Sequence, residues 1–82
     1  YYAQFIIRFS VSQAMKEPAL RKMVADHGFS VANLSYRLDR GADFYEYRMI
    51  IRTIEMENQS RLSAMLSQLD SVLEFRIAPT GD

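Results

Sequence analysis

The chain has 82 residues, of which 49% are hydrophobic and 24% are charged, so it can build one packed core and is too short for two domains. Ten basic and ten acidic side chains cancel, which argues against the broad positive surface that nucleic-acid or anionic-membrane binding usually needs. The absence of cysteine excludes a disulfide framework and thiolate metal sites.

The first part of the chain predicts a strand followed by a helix. Residues 2–10 alternate between two faces, which is the period of a half-buried strand. Apolar residues then recur at helical spacing from about Pro18 to His27, and Gly28 follows where a helix commonly ends. The inward face of the first strand is predicted to consist of Ala3, Phe5, Ile7 and Phe9.

Two further alternating segments surround the turn-rich stretch 39–43, which predicts a β-hairpin. The predicted inward residues of its first strand are Ala32, Leu34, Tyr36 and Leu38, and those of its second strand are Tyr45, Tyr47, Met49 and Ile51.

A second helix and a closing strand complete the pattern. The helix is predicted from an apolar stripe at positions i, i+3, i+4 and i+7, and the strand from alternation that Pro79 ends. The stripe consists of Leu62, Met65, Leu66 and Leu69, and the closing strand directs Leu73, Phe75 and Ile77 inward. The order β-α-β-β-α-β predicts an α+β, ferredoxin-like sandwich in which two helices cover one face of a four-stranded antiparallel sheet. The first and third strands are expected at its centre.

Five arginines fall on the outward face of the predicted strands: Arg8, Arg37, Arg48, Arg52 and Arg76. Guanidinium groups gathered on one face can recognise carboxylates or phosphates. A solvated surface with cross-strand ion pairs is the simpler interpretation. Because Ile6 and Ile50 lie among these charges, an apolar centre with a charged rim favours a protein interface over an open ligand groove. The predicted partner-binding surface therefore comprises Ile6, Arg8, Arg48, Ile50, Arg52 and Arg76.

Other kinds of site are less favoured. An RNA-recognition surface would need outward aromatics on the central strands, whereas Phe5, Phe9, Tyr45 and Tyr47 are predicted to face the helices. The single histidine, His27, is expected to cap a helix end, and no catalytic group or cofactor is predicted. Four carboxylates are candidates for a hard-cation site, although scattered acids are more often solvated, so no metal is predicted. They are Glu55, Glu57, Asp70 and Asp82.

The strand 45–53, the leucine-rich helix after it and above all the closing segment Val72-Leu73-Glu74-Phe75-Arg76-Ile77-Ala78-Pro79-Thr80-Gly81-Asp82 resemble the C-terminal cytoplasmic domain of MgtC/SapB-type bacterial membrane proteins. The resemblance implies a single ACT-like domain over residues 1–82. The start at Tyr1 rather than Met, inside a strand pattern, indicates a piece excised from a longer protein, and no apolar run here approaches the ~20 residues that span a bilayer.

The resemblance implies a function without enzymatic activity. The expected role is a regulatory or interaction domain on the cytoplasmic side of a bacterial inner membrane, in a family linked to low-magnesium adaptation and virulence. Expected partners are a second copy or a membrane protein, with no nucleic acid and with membrane contact only through an N-terminal domain absent here. The alternative is an ACT-type sensor of small ligands with its site at a dimer interface, although ACT domains usually bind amino acids through a glycine-containing loop, and no glycine lies between Ser10 and Lys16.

Overall fold

The structure, a computed structural model, describes residues 1–80. Gly81 and Asp82, which end the predicted closing segment, lie outside the described residues. Asp82 is one of the four candidate cation ligands, and that candidate therefore lies outside them as well. The strands are β1 (Tyr2–Ser10), β2 (Ser30–Asp39), β3 (Phe44–Arg52) and β4 (Val72–Pro79), and the helices are α1 (Glu17–Asp26) and α2 (Glu57–Leu66). A short 3₁₀ turn at Val11–Gln13 links β1 to α1.

The four strands form one antiparallel sheet in the order β2-β3-β1-β4. The central position of β1 and β3 is as predicted, and the order of elements confirms the ferredoxin-like arrangement. Apolar side chains of both helices pack with one side of the central strands into a single core. Within residues 1–80 no helix lies on the opposite side of the sheet, and this open face is the surface on which the predicted partner-binding residues lie.

The core follows from strict alternation in the two central strands. The predicted inward side chains of β1 are fully buried, and Tyr47, Met49 and Ile51 of β3 are at most 3% exposed. Each large apolar side chain removed from water in this way contributes about 1.5–3 kcal/mol. The helices close the core with Leu20, Val24, Leu62 and Leu66.

The end of α1 agrees with its sequence signals. His27 lies within hydrogen-bonding distance of a carbonyl in the last turn, with its Nδ1 2.8 Å from the Met23 oxygen. Gly28 takes a left-handed conformation at φ 89°, where a side chain would be strained and a Cβ would also collide with the Asn58 amide. The chain can therefore reverse directly into β2.

The predicted inward face of β2 is wrong at Ala32 because the strand contains a β-bulge. Ala32 pairs with Ile50, but pairing resumes only at Ser35 with Arg48, so β2 has one extra residue. Asn33 lies in this segment at φ 55°, a left-handed conformation that asparagine tolerates better than most residues. Val31 packs against the core in place of Ala32, and the alternation regains its predicted phase beyond the bulge.

A second bulge makes the predicted inward position of Leu73 wrong. Arg8 pairs with Glu74 while Phe9 pairs with Val72, so Leu73 is the extra residue of β4. Its side chain is 58% exposed, and Val72 packs against the core instead. Phase is restored at Phe75 and Ile77, which lie inward as predicted.

A candidate docking surface on the open sheet face

Strand register arranges the open face in rows that cross the sheet from β2 to β4. Successive rows consist of Arg37, Glu46, Arg8 and Glu74, then Ser35, Arg48, Ile6 and Arg76, then Ala32, Ile50, Gln4 and Ala78. Arg52 lies beyond the third row, opposite Tyr2. All six predicted partner-binding residues therefore lie on one face, and Ile6 stands directly between Arg48 and Arg76.

Charge divides this face into two halves. The charge-paired half comprises Arg8, Arg37, Phe44, Glu46 and Glu74. The cationic half comprises Ile6, Arg48, Ile50, Arg52 and Arg76. The rows of the cationic half contain no acidic residue, whereas Glu46 and Glu74 both lie in the charge-paired half.

Glu46 is the centre of the charge-paired half, and its side chain is only 1% exposed. Its Oε1 accepts a hydrogen bond from Arg8 Nε at 2.8 Å, and its Oε2 accepts from Arg48 Nε at 2.8 Å and Arg37 Nε at 3.1 Å. Burial alone would raise the pKa of this carboxyl, but the hydrogen bonds from the three guanidinium groups outweigh it and lower the pKa to about 2. Glu46 therefore remains ionised at any ordinary pH.

The same arginines cover an apolar ring. Phe44 is 8% exposed although it lies on the open side of the sheet. The guanidinium carbon of Arg8 lies 4.3 Å from the ring centroid, and that of Arg37 lies 5.0 Å away, within the range of cation–π attraction. Arg8 also pairs with Glu74 at 3.2 Å, so the guanidinium groups of this half are already engaged within the domain.

The cationic half has charges that the domain does not neutralise. Within residues 1–80, Arg52 and Arg76 form no ion pair. Arg52 lies 5.9 Å from the ring centroid of Tyr2, and Ile6 and Ile50 are half-buried between the exposed arginines. A small depression of about 170 Å³ lies beside Ile6. Its walls are formed by Arg8, Arg48, Glu74 and Arg76.

A second concave region lies on the other side of the sheet, where α1 begins. This tyrosine groove, about 480 Å³ in volume, lies between the connection from β1 to α1 and the β2–β3 hairpin. The Tyr47 hydroxyl donates a hydrogen bond to the Met15 carbonyl at 2.6 Å, and burial raises the pKa of Tyr47. Tyr36 and Tyr45 stack with ring centroids 6.1 Å apart. The groove is lined by Val11, Ala14, Met15, Lys16, Glu17, Tyr36, Leu38, Tyr45 and Tyr47.

The remaining sequence candidates are not assembled into sites. Within residues 1–80 no three histidine or acidic side chains come together as a metal centre would require, so Glu55, Glu57 and Asp70 do not form one. None of the helices in residues 1–80 is long and apolar enough to span a membrane. Phe5, Phe9, Tyr45 and Tyr47 lie on the helix side of the sheet, as predicted.

Sequence comparisons find no match, whereas structural comparisons find proteins of similar fold. No protein-family model matches the chain, and no curated protein matches it in sequence. The C-terminal domain of the MgtC protein from Mycobacterium tuberculosis superimposes with a TM-score of 0.69 and 14% identity, over 98% of this chain and 88% of that domain. The ACT domain from GTP pyrophosphokinase of Chlorobium tepidum gives a TM-score of 0.62 and 10% identity, over 94% of this chain and 96% of that one.

An enzyme shares the fold over part of its length. A formyltetrahydrofolate deformylase from Burkholderia mallei matches with a TM-score of 0.70 and 11% identity, and the match covers 96% of this chain but only 28% of the deformylase. At these identities the comparisons show a common fold. The chain therefore has an ACT-like fold of the ferredoxin-like class, which it shares with the MgtC C-terminal domain.

Replacing Glu46 by Gln should lower the free energy of unfolding by an amount that depends on pH. The folded pKa is depressed from 4.5 to about 2, so the stabilisation is fully present above the ordinary pKa and is lost as the pH falls through the folded value. We expect E46Q to lose about 1–3 kcal/mol of unfolding free energy at neutral pH. The difference from wild type should shrink as the pH falls from about 5 to about 2, which urea unfolding would measure.

The matched control is Glu57→Gln, because the Glu57 side chain is 77% exposed in a 3.5 Å pair with Arg61. E57Q should change the unfolding free energy by less than about 0.5 kcal/mol. If the unfolding free energies of E46Q and wild type differed by the same amount at every pH, the Glu46 carboxylate would not stabilise the sheet.

Proposed function

We propose that this chain is a non-catalytic regulatory domain that docks to a protein partner through the cationic half of its open sheet face. The observation that carries the proposal is the composition of that half: half-buried Ile6 and Ile50 lie among exposed arginines, two of which have no counterion within residues 1–80. An apolar centre with a charged rim is the composition of a protein interface, and arginine is enriched in such surfaces. The partner is a second copy of the chain or a membrane protein.

Reversing two charges tests this surface without disturbing the Glu46 network. Because Arg52 and Arg76 have no ion pair within residues 1–80, the double variant Arg52→Glu, Arg76→Glu should fold normally. Its affinity for itself, measured by sedimentation velocity, or for detergent-solubilised bacterial membrane proteins, measured by retention on them, should fall at least tenfold relative to wild type. A tenfold loss of affinity corresponds to about 1.4 kcal/mol.

The control variant carries the same reversals on the helices. Arg21 and Arg61 each pair with a glutamate one turn earlier in their own helix, so Arg21→Glu, Arg61→Glu changes the net charge equally but leaves the sheet face intact. Equal association of the two double variants and the wild type would rule out docking through the cationic half.

We also propose that the domain belongs to an MgtC/SapB-like protein of the bacterial inner membrane, on its cytoplasmic side, with a role in low-magnesium adaptation or virulence. Two observations support this: the structural match spans nearly all of both this chain and the MgtC C-terminal domain, and the closing segment 72–82 resembles that family. We expect the product of the whole gene, tagged at its C terminus, to sediment with membranes and to resist added protease in intact spheroplasts. A tag found in the soluble fraction would contradict this proposal.

The tyrosine groove favours a second candidate function, the sensing of a small ligand. Its three tyrosines provide apolar faces and hydroxyl groups beside Lys16 and Glu17, a combination suited to a small amphipathic or zwitterionic molecule. If this function is correct, an amino acid or nucleotide present at ~100 times its dissociation constant should stabilise the fold by about 2.7 kcal/mol. Thermal-shift screening would detect the effect, and Tyr45→Ala should abolish it. If no ligand in the screen stabilises the fold, docking remains as the proposed function.

A further inference from the structure

We propose that the partner seated on the cationic half is an extended acidic segment of a different protein, with two carboxylates four residues apart and an apolar side chain midway between them. This inference rests on the proposed function, because it names the chemistry of the partner for the same surface.

The first step concerns charge. Arg52 and Arg76 are exposed, have no ion pair within residues 1–80, and lie in rows that contain no acid. Arg48 shares these rows, and its Nε is bound to Glu46, which leaves the other donors of its guanidinium for an incoming group. A segment that brings carboxylates to this half therefore meets donors that can form charge-assisted hydrogen bonds.

The second step concerns spacing. Arg48 and Arg52 are four residues apart on β3, which separates their Cα atoms by about 13 Å, and Ile50 lies midway. Residues i and i+4 of an extended segment have the same separation, and residue i+2 points to the same side. One carboxylate would lie over Ile6 between Arg48 and Arg76, the other would reach Arg52, and the apolar side chain between them would cover Ile50.

A second copy of this chain has no matching pair of carboxylates on its open face, because the acids of that face lie on three different strands. Glu46 is buried under three arginines, Glu74 pairs with Arg8 at 3.2 Å, and Asp39 Oδ1 accepts a hydrogen bond from the Ala42 amide at 3.0 Å. The cationic half is also small, about 13 Å long from Arg48 to Arg52 and about 10 Å wide from β3 to β4. That is far less than the ~800 Å² per partner of a typical stable protein interface, but it fits a short segment.

Nucleic acid does not fit as well. Stacking of bases on an open sheet needs exposed aromatic rings, but Tyr45 and Tyr47 lie on the helix side and Phe44 is covered by Arg8 and Arg37. Among residues 1–80, Tyr2 is the one aromatic residue in the sheet rows that border the cationic half, and the Arg52 guanidinium lies over its ring.

The experiment uses nuclear magnetic resonance on the ¹⁵N-labelled chain. The probe is a short synthetic peptide with glutamates four residues apart and a leucine midway, in a serine background. Binding should shift the amide signals of Ile6 and Ile50 and the Nε–Hε signals of Arg52 and Arg76. The variant Arg52→Gln, Arg76→Gln should weaken binding by about tenfold, whereas Arg21→Gln on the opposite side of the domain should bind like wild type.

Comparison ligands give the contrary outcomes. If a peptide of the same composition with adjacent glutamates bound equally well, the proposed four-residue spacing of the carboxylates would be wrong. If a single-stranded RNA oligonucleotide bound more tightly than the peptide, the surface would be a nucleic-acid site. Self-association that buries Ile6 and Ile50 would make the partner a second copy. The peptide could fail to bind while the variant Arg52→Glu, Arg76→Glu still abolishes capture of a membrane protein. That result would show that the partner is not an acidic segment, and the proposed docking function would still hold.

Discussion

The Glu46 carboxylate is the counterion on which the open face of the sheet depends. Five arginines on one small face would repel one another, and the three nearest to β2 and the hairpin end all donate to this one buried group. Because Arg8 lies on β1, Arg37 on β2 and Arg48 on β3, the contact ties three strands together from the side that the helices do not cover. The network thereby stabilises the register that aligns the remaining residues of the face.

That same contact explains why the face has two halves. Glu46 and Glu74 lie toward the hairpin end of the sheet, where they pair with Arg8 and Arg37. Arg52 and Arg76, by contrast, form no ion pair within the described residues. A chain with equal numbers of basic and acidic groups can thus present a local excess of positive charge, because neutrality over the whole molecule does not require neutrality over one surface.

The sequence was sufficient to predict the fold and the faces of β1 and β3, where alternation is unbroken, but not the two bulges. A single extra residue in β2 or β4 shifts which side chains face the core, and a period-two pattern cannot reveal it; this is why Ala32 and Leu73 were misplaced. The arginine face was also predictable. The burial of Glu46 was not, because it depends on Arg8, which is 38 positions away in sequence, and a lone acid between two tyrosines resembles an ordinary solvated charge.

The structural likeness and the surface carry different information about function. The fold is shared at 10–14% identity with a domain of MgtC, a domain of GTP pyrophosphokinase and part of a deformylase, so it cannot by itself choose among their roles. Folding requires an apolar side for the helices, but Arg52 and Arg76 form no ion pair within residues 1–80 and donate no hydrogen bond to Glu46. Together with Arg48 they give this half a local positive charge. A partner that brings negative charge would neutralise that charge on binding, which makes the cationic half the part of this domain where a specific function is best sought.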